Sequence, residues 1–344
     1  MGAVYVMRHV GSRAANDRTG NRLKYSVFLQ RGALVQVFRG LPQAADVPIA
    51  LTIGNFDGVH RGHQAMLSRL VEAAEDLALP AAVLTFDPPP REFFAPSTAP
   101  PRLSSLRDKI EQFASRGVAR VYVARFNGRL ASLAPESFID AVLVHRLGAR
   151  WLLVGEDFRF GKGRAGDLAT LRRAAGAFSV ETLRTVAVDR ERASSTAVRS
   201  ALAQGDLARA RALLGRSYSI AGRVAHGAKL GRSLGFPTAN LPLRRKPPIA
   251  GVFAVRVHGL EGTPRTGVAS VGVRPTVSPS GAPMLEVFIF DFDAMIYGRR
   301  VAVEFVHKLR DEARYPDLDA LMRQIAADAA QARDYFNMAC AQPR

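Results

Sequence analysis

A glycine-rich turn with two histidines joins a predicted buried strand to a predicted helix. The strand is the apolar run Ile49–Ile53, and the helix covers residues 64–77, where apolar side chains recur at helical spacing. A helix start offers backbone N–H groups and a positive dipole end to an anion, and histidines three residues apart can share one helix face. We therefore predict a phosphate-binding turn whose contributing residues are Gly54, Phe56, Asp57, Gly58, His60 and His63.

The pattern between residues 48 and 184 alternates short apolar strands with helices, which predicts a parallel α/β sheet of Rossmann-like type. Two further candidate segments follow predicted strands, one at Phe86 and one beginning at Gly155. Because ligands of such sheets bind beyond the carboxyl ends of the strands, these turns should converge with the histidine turn on one edge. In the segment after Gly155, alternating aromatic side chains and glycines suit a planar ligand, and the candidate residues are Asp157, Phe158, Phe160 and Gly161.

The sequence pattern changes after Gly215. Short strand-like segments separated by Gly, Pro and Ser then predict an antiparallel β-barrel, followed by an amphipathic helix over residues 317–336. We therefore expect an α/β domain over residues 37–215 and a barrel domain over 216–344. Residues 1–36 are rich in Arg and poor in acids and apolar periodicity, which favours a disordered extension.

Composition narrows the functional classes. The single cysteine, Cys340, excludes a disulfide framework and a cysteine-based metal site, and it fits a reducing cytoplasm. No apolar run approaches the ~20 residues needed to span a bilayer. The net charge of +18 comes mostly from dispersed Arg, and the densest cluster, Arg244 to Lys246, is short. Nucleic acid is thus an unlikely main partner, whereas anionic small molecules suit the charge, and self-association stays open.

The string from Gly54 to His63 resembles the H-x-G-H nucleotidylyltransferases, and in particular their flavin branch, the FAD synthetases. The segments at residues 155–161 and 194–199 are similar to others of that branch. The resemblance implies that Ser195 and Thr196 contact the ATP triphosphate and that Arg199 neutralises the departing pyrophosphate. It also implies that Phe86 lies near flavin or phosphates. One position departs from the family pattern, because Pro89 stands where a histidine often occurs.

The segment G-F-P-T-A-N at residues 235–240 resembles the signature of riboflavin kinases. This resemblance implies an ATP-binding loop that includes Gly222, Gly231 and Gly235. Thr238 and Asn240 offer neutral oxygen ligands that suit Mg²⁺ bound to ATP. Glu286, a carboxylate in an otherwise apolar predicted strand, would be the base that accepts the proton of the riboflavin hydroxyl.

Together the two resemblances imply a bifunctional enzyme that phosphorylates riboflavin to FMN in the barrel domain and adenylylates FMN to FAD in the α/β domain. ATP with Mg²⁺ would serve both steps. Two alternatives remain open. The H-x-G-H domain could transfer nucleotide to another acceptor, an option that Pro89 keeps open, or the chain could be a catalytically silent regulator that binds flavin or RNA.

Overall fold

The computed structural model describes residues 24–28, 34–174, 176–226, 236–273 and 283–341. These residues form two compact units. The N-terminal unit holds the described residues up to 100 together with 104–193, and the C-terminal unit holds 101–103 and the described residues from 194 onwards. Packing therefore assigns residues 194–215 to the C-terminal unit. In the sequence, the change from alternating strands and helices to strand-like segments comes later, at Gly215.

The N-terminal unit is built on seven strands: β1 (Lys24–Phe28), β2 (Leu34–Arg39), β3 (Ile49–Ile53), β4 (Ala81–Phe86), β5 (Arg120–Ala124), β6 (Ala149–Gly155) and β7 (Ser179–Leu183). Their order in the sheet is β1-β2-β5-β4-β3-β6-β7. All neighbouring pairs from β2 to β7 are parallel, and only β1 is antiparallel to its neighbour. A two-stranded hairpin of β8 (Ala187–Val188) and β9 (Glu191–Arg192) follows.

Helices cover both faces of this sheet, which confirms the predicted doubly wound α/β architecture. The helices are α1 (Arg61–Asp76), α2 (Pro90–Phe94), α3 (Leu106–Ala114), α4 (Gly128–Ala131), α5 (Pro135–Phe138) and α6 (Leu168–Arg173). One core contains side chains of α1 and α3, such as Leu67 and Phe113. The opposite core contains Phe138, Leu143 and Leu171, from the segments around α5 and from α6.

Two features of this unit differ from the sequence pattern. Strands β1 and β2 lie where the sequence predicted a disordered extension over residues 1–36, so the prediction fails for Lys24–Phe28 and for the start of Leu34–Arg39. The second feature is a π-helix over Ile139–Arg146, which continues the chain directly after the α-helix that ends at Phe138.

The C-terminal unit contains six antiparallel strands: β10 (Ser219–Arg223), β11 (Thr238–Pro242), β12 (Gly251–His258), β13 (Arg265–Val273), β14 (Pro283–Ile289) and β15 (Arg300–Arg310). Their order is β10-β15-β12-β13-β14-β11. The two end strands approach each other where Ala225 N donates to Asn240 O at 2.8 Å. This contact nearly closes the sheet and confirms the predicted barrel, but strand β11 itself was not predicted.

Among the residues that the structure describes, three helices complete the C-terminal unit: α7 (Ser195–Gln204), α8 (Leu207–Leu214) and α9 (Leu318–Ala341). Helix α9 packs Ala329, Ala332 and Phe336 against Val252 and Ala254 of the barrel. None of the described helices is both long and apolar enough to cross a membrane.

A buried ion pair anchors α9 to the last strand. The Arg310 guanidinium donates to both carboxylate oxygens of Asp328, at 2.8 and 2.6 Å, and Gln324 Nε2 donates to the same carboxylate at 2.9 Å. The Asp328 side chain is only 5% exposed. Removing one partner from such a pair leaves an uncompensated buried charge, which costs far more than an exposed pair contributes.

We expect Asp328→Ala to lower the free energy of unfolding of the barrel unit by about 2 kcal/mol, because the hydrogen bonds from Arg310 and Gln324 to this carboxylate are lost. Urea unfolding followed by circular dichroism measures the change. The matched control is Asp311→Ala, since Asp311 pairs with Lys308 but its side chain is 85% exposed. The control should change stability by less than about 0.5 kcal/mol. Equal midpoints for the two variants would contradict the anchoring role of Asp328.

Candidate active sites

The histidine turn lies where the sequence predicts it, between strand β3 and helix α1. His60 is the N-cap of α1, and its Nδ1 atom accepts the His63 backbone N–H at an N···N distance of 3.4 Å. The two imidazole rings stack with centroids 3.7 Å apart and planes 24° apart. Because β3 lies between β4 and β6, the turns at Gly54, Phe86 and Gly155 leave the same edge of the sheet. The predicted convergence of the three segments is thus confirmed.

The imidazole of His63 is prepared for a polar ligand. Its ring is part-buried, but its Nδ1 atom is closed to water and has no hydrogen-bond partner among the described residues. Burial lowers the pKa of His63 well below its usual 6.5, and the charges of His60 and Lys109 lower it further. A buried nitrogen without a partner costs roughly 1–3 kcal/mol of stability. The site therefore holds a neutral imidazole with an unsatisfied nitrogen.

Several residues predicted to contact a ligand have structural partners in the protein. The Phe56 ring is 1% exposed and packs edge-on against Phe113 at 5.3 Å, so only the backbone of this residue is available to a ligand. The Asp57 carboxylate accepts the backbone N–H and the hydroxyl of Ser104, at 3.2 and 3.3 Å. The Gly58 N–H donates to Ser104 Oγ at 3.0 Å. The N–H groups of Gly54, Gly58 and Val59 in this loop therefore all donate hydrogen bonds within the protein.

The glycines of this turn serve packing. A Cβ at Gly62, between the histidines, would lie 3.2 Å from the Ala193 carbonyl oxygen and 3.3 Å from the His60 ring. A Cβ at Gly54 would lie 3.1 Å from the Phe56 ring. These contacts are tighter than side chains normally tolerate, so the glycines let the loop fold back on its own aromatic rings.

The segment after β6 contains both buried and exposed side chains. Phe158 and Phe160 stack with centroids 5.6 Å apart, and the Phe160 side chain is buried in the core. Gly161 has φ +73°, and a Cβ there would meet Pro135 at 2.9 Å. The exposed carboxylate of Asp157 pairs with Arg192 at 2.6 Å. Half-buried Phe158 remains the candidate ligand contact from this segment.

An aromatic cluster at the ends of β4 and β5 was missed by sequence reasoning, apart from Phe86. The Phe126 ring meets Phe86, Phe93 and Phe94 edge-on, at centroid distances of 5.7, 5.5 and 5.6 Å. Phe94 is 66% exposed. Pro89, at the position of the expected histidine, is the N-cap of the short helix α2 that carries Phe93 and Phe94. The aromatic pair in the sequence of α2 was the available signal for this cluster.

The Ser-Ser-Thr segment forms the start of α7, as predicted. Ser194 is its N-cap and accepts the Ala197 N–H, so Ser195 and Thr196 occupy the first turn. Arg199 Nε donates to the Pro101 carbonyl at 2.7 Å within the C-terminal unit. Arg199 thereby holds residues 101–103, a contact that the sequence did not indicate.

The barrel unit brings its candidate polar residues onto one face of two strands. Thr238 and Asn240 are two residues apart on β11 and therefore share a face, and Asn240 lies directly opposite Glu286 of β14. The neighbours Leu241, Leu285 and Val287 are buried, whereas Glu286 is half-buried. Glu286 thus lies on the strand face opposite these core side chains, and Asn240 beside it is 8% exposed.

Oxygen atoms at this face suit a hard cation. Asn240 Nδ2 donates to the Thr238 carbonyl at 3.1 Å, and this bond does not use the Asn240 amide oxygen. Hydroxyl, amide and carboxylate oxygens are the ligands that Mg²⁺ prefers. In the part of the chain that the structure describes, no group of three His, Cys, Asp or Glu side chains forms another metal site.

Of the three glycines predicted for the barrel site, Gly222 lies among the described residues. A Cβ at Gly222 would lie 3.2 Å from the Leu241 side chain, so this glycine allows β10 to approach β11. Gly231 and Gly235 lie outside the described residues.

The depressed pKa of His63 predicts a specific loss of stability in acid. Above pH 6.5 neither the folded nor the unfolded imidazole is protonated, but below it only the unfolded one binds a proton. His63 therefore destabilises the folded state by about 1.4 kcal/mol per pH unit below 6.5, until the folded pKa is reached. We expect His63→Gln to lose less unfolding free energy than the wild type between pH 7.5 and 5.5.

The fluorescence of Trp151, the single tryptophan, measures the unfolding of this unit, because Trp151 is buried in its core. Parallel losses in the wild type and in His63→Gln would show that His63 is protonated normally in the folded state.

Two family models match the chain in succession. The model of FAD synthetase matches residues 43–197, and the model of riboflavin kinase matches residues 214–336. The first match contains the histidine turn and the Ser-Ser-Thr segment, and the second contains the barrel and most of α9.

The chain is similar over most of its length to proteins described as bifunctional riboflavin kinase/FMN adenylyltransferase. It is 46% identical over 308 residues to that of Escherichia coli K12, covering 89% of this chain and 98% of the relative. It is 47% identical over 308 residues to that of Haemophilus influenzae, with 88% and 100% covered. The protein of Pseudomonas fluorescens is 50% identical over 285 residues, with 82% and 91% covered.

One solved structure shares the fold of this chain at a TM-score of 0.71 and 28% identity, covering 85% of this chain and 97% of the other. It is described as a macrolide-efflux protein from Streptococcus pneumoniae. The two matched family models, in this order along the chain, and relatives that align over nearly their whole length lead to one assignment: the chain belongs to the family of bifunctional riboflavin kinases/FMN adenylyltransferases.

Proposed function

We propose that this chain phosphorylates riboflavin to FMN and then adenylylates FMN to FAD, using ATP in both steps. The observation that carries the proposal is that each matched family region contains its own polar site. The FAD synthetase region holds the stacked His60 and His63, and the riboflavin kinase region aligns Thr238, Asn240 and Glu286.

In the N-terminal site, an FMN phosphate oxygen attacks the α-phosphorus of ATP. The bond from that phosphorus to the bridging oxygen breaks, and pyrophosphate leaves with the electron pair. The neutral His63 and its stacked neighbour His60 would donate hydrogen bonds to phosphate oxygens that gain charge during transfer. We assign Arg199 to pyrophosphate, with Ser195 and Thr196 beside the triphosphate, and Phe86 and Phe158 to the flavin side.

In the C-terminal site, the riboflavin 5′-hydroxyl oxygen attacks the γ-phosphorus of ATP, and ADP leaves. Glu286 would accept the hydroxyl proton, as a carboxylate within reach of the transferred group can. Thr238 and Asn240 would hold Mg²⁺, which neutralises phosphate charge when it is bound with ATP. The shared face of these three residues supports this assignment.

We assign FMN adenylylation to residues 37–215 and riboflavin phosphorylation to residues 216–344. The match to FAD synthetase ends at residue 197 and the match to riboflavin kinase begins at residue 214, so the change of activity lies between them. We place the enzyme in the cytoplasm, where ATP and flavins are available. Its partners are then the small molecules ATP, riboflavin and FMN, since the dispersed Arg residues do not favour nucleic acid.

The direct test is chromatography of the purified protein incubated with riboflavin, ATP and Mg²⁺. FMN should appear first and FAD should follow. If FMN accumulated without FAD, the N-terminal domain would act on another acceptor, and Pro89, which replaces the expected histidine, would be the first residue to examine. If ATP were not consumed at all, the protein would be a silent binder.

We expect His63→Ala to abolish FAD formation, with a fall in kcat of at least about 100-fold, because the site loses a donor at the reacting phosphate. Riboflavin phosphorylation by the same variant serves as the control and should keep its wild-type rate. Normal FAD formation by His63→Ala would refute the assignment of this site.

We expect Glu286→Gln to lose riboflavin phosphorylation by about 100-fold or more, because an amide cannot accept the hydroxyl proton. The variant should still convert supplied FMN to FAD, since that reaction uses the N-terminal site. Loss of both activities would indicate misfolding rather than loss of a base.

A further inference from the structure

The loop from Gly54 to His60 has a backbone that its own sequence does not favour. Phe56 and Val59 have φ values of +49° and +42°, and Gly58 has +81°. Left-handed backbone costs roughly 1–2 kcal/mol for each residue with a side chain, and Val59 is branched at Cβ, where this conformation is especially rare. The surrounding protein must therefore hold this loop in place.

The carbonyl of Asn55 is the point where the surrounding elements hold the loop. It accepts a hydrogen bond from Lys109 Nζ at 3.0 Å and another from Thr85 Oγ1 at 3.4 Å. Lys109 is 4% exposed and Thr85 is fully buried. The two donors come from α3 and β4, far from Asn55 along the chain, so they fix the loop against the sheet and a helix together.

Helix α3 supports the loop at two adjacent positions. Lys109 and Phe113 are four residues apart and therefore lie on one face of the helix. Phe113 packs edge-on against Phe56, whose ring lies 5.0 Å from the ring of His63. One helix face thus contacts the loop on both sides of the Asn55–Phe56 peptide.

A lysine is an expensive residue for this position if packing is its only task. Burial of an ammonium group costs several kcal/mol, and an apolar side chain of similar length would fill the same space without that cost. The charge also acts on the site, because Lys109 is one of the groups that lower the pKa of His63, after burial and His60.

We propose that Lys109 is a positioning residue for adenylyl transfer: its ammonium group holds the Asn55 carbonyl and with it the strained loop that carries His60 and His63. This inference rests on the proposed function. Lys109 acts through the loop and through the charge state of His63. Its loss should therefore lower kcat for FAD formation more than it raises KM for FMN, since a displacement of about 1 Å can cost about 100-fold in rate.

The test replaces Lys109 by Met, which keeps the stem and removes the ammonium. We expect kcat for FAD formation from supplied FMN to fall about 100-fold, while riboflavin phosphorylation by the same chain stays within twofold. In NMR titration of histidine-labelled protein, with the His63 signal identified by its absence in His63→Gln, the pKa of His63 should rise. If Lys109 only filled space, the pKa of His63 would be the same in Lys109→Met as in the wild type.

The matched control is Arg116→Met, which removes a cation just after the same helix. Arg116 Nη1 donates to the Gln112 carbonyl at 3.0 Å, so it is engaged within its own turn. This variant should keep wild-type FAD formation and the wild-type pKa of His63.

Lys109→Met activity within threefold of the wild type, or an unchanged pKa of His63, would overturn the proposal. If Lys109→Met lacks the native Trp151 fluorescence, Lys109→Gln, which keeps an amide donor, is tested in its place. A folded and fully active Lys109→Gln would overturn the proposal, and so would loss of the native signal in both variants, since Lys109 would then be purely structural. A wild type that forms no FAD would refute the proposed function instead, and the His63 titration would still decide the role of Lys109.

Discussion

The N-terminal site depends on a loop held in a backbone conformation that would not persist alone. The side chains of Ser104, Thr85 and Lys109 hold Asp57, Gly58 and the Asn55 carbonyl by hydrogen bonds. Only with the loop fixed in this way can His60 cap α1 and stack on His63. The parallel sheet contributes the framework, because neighbouring strands deliver the loop and two further candidate segments to one edge.

Electrostatics and packing oppose each other at this site. The structure buries an ammonium group near a loop carbonyl and leaves the His63 Nδ1 atom without a hydrogen-bond partner among the described residues. Each arrangement lowers stability, and the apolar cores on both faces of the sheet offset that loss. The result is a pair of histidines whose positions and protonation are set before any phosphate arrives, which is the condition for charge stabilisation without reorganisation.

Sequence reasoning predicted the repeating parts of the fold and the place of the histidine turn between β3 and α1. The apolar runs of β3, β4 and β6 are unambiguous, and the turns after them follow from the rules of parallel sheets. It missed β1 and β2, because residues 1–36 are rich in Arg and show little apolar periodicity. It also missed β11, whose five residues include Asn240 and end at Pro242. It did not foresee that the rings of Phe56 and Phe160 are buried in the core, because nearness to a motif does not distinguish a core aromatic side chain from an exposed one. Lys109 had one signal, its place on the apolar stripe of α3 between Leu106 and Phe113.

Strand β11 shows how one residue can serve architecture and chemistry through different atoms. The Asn240 backbone carbonyl makes the hydrogen bond at which the barrel nearly closes, while its side chain lies opposite Glu286. The hydrogen bond at the seam uses only the main chain of Asn240. Its side chain can therefore take part in binding the phosphate donor without taking part in closing the barrel. Main chain and side chain of one residue thus carry two separate tasks at the seam.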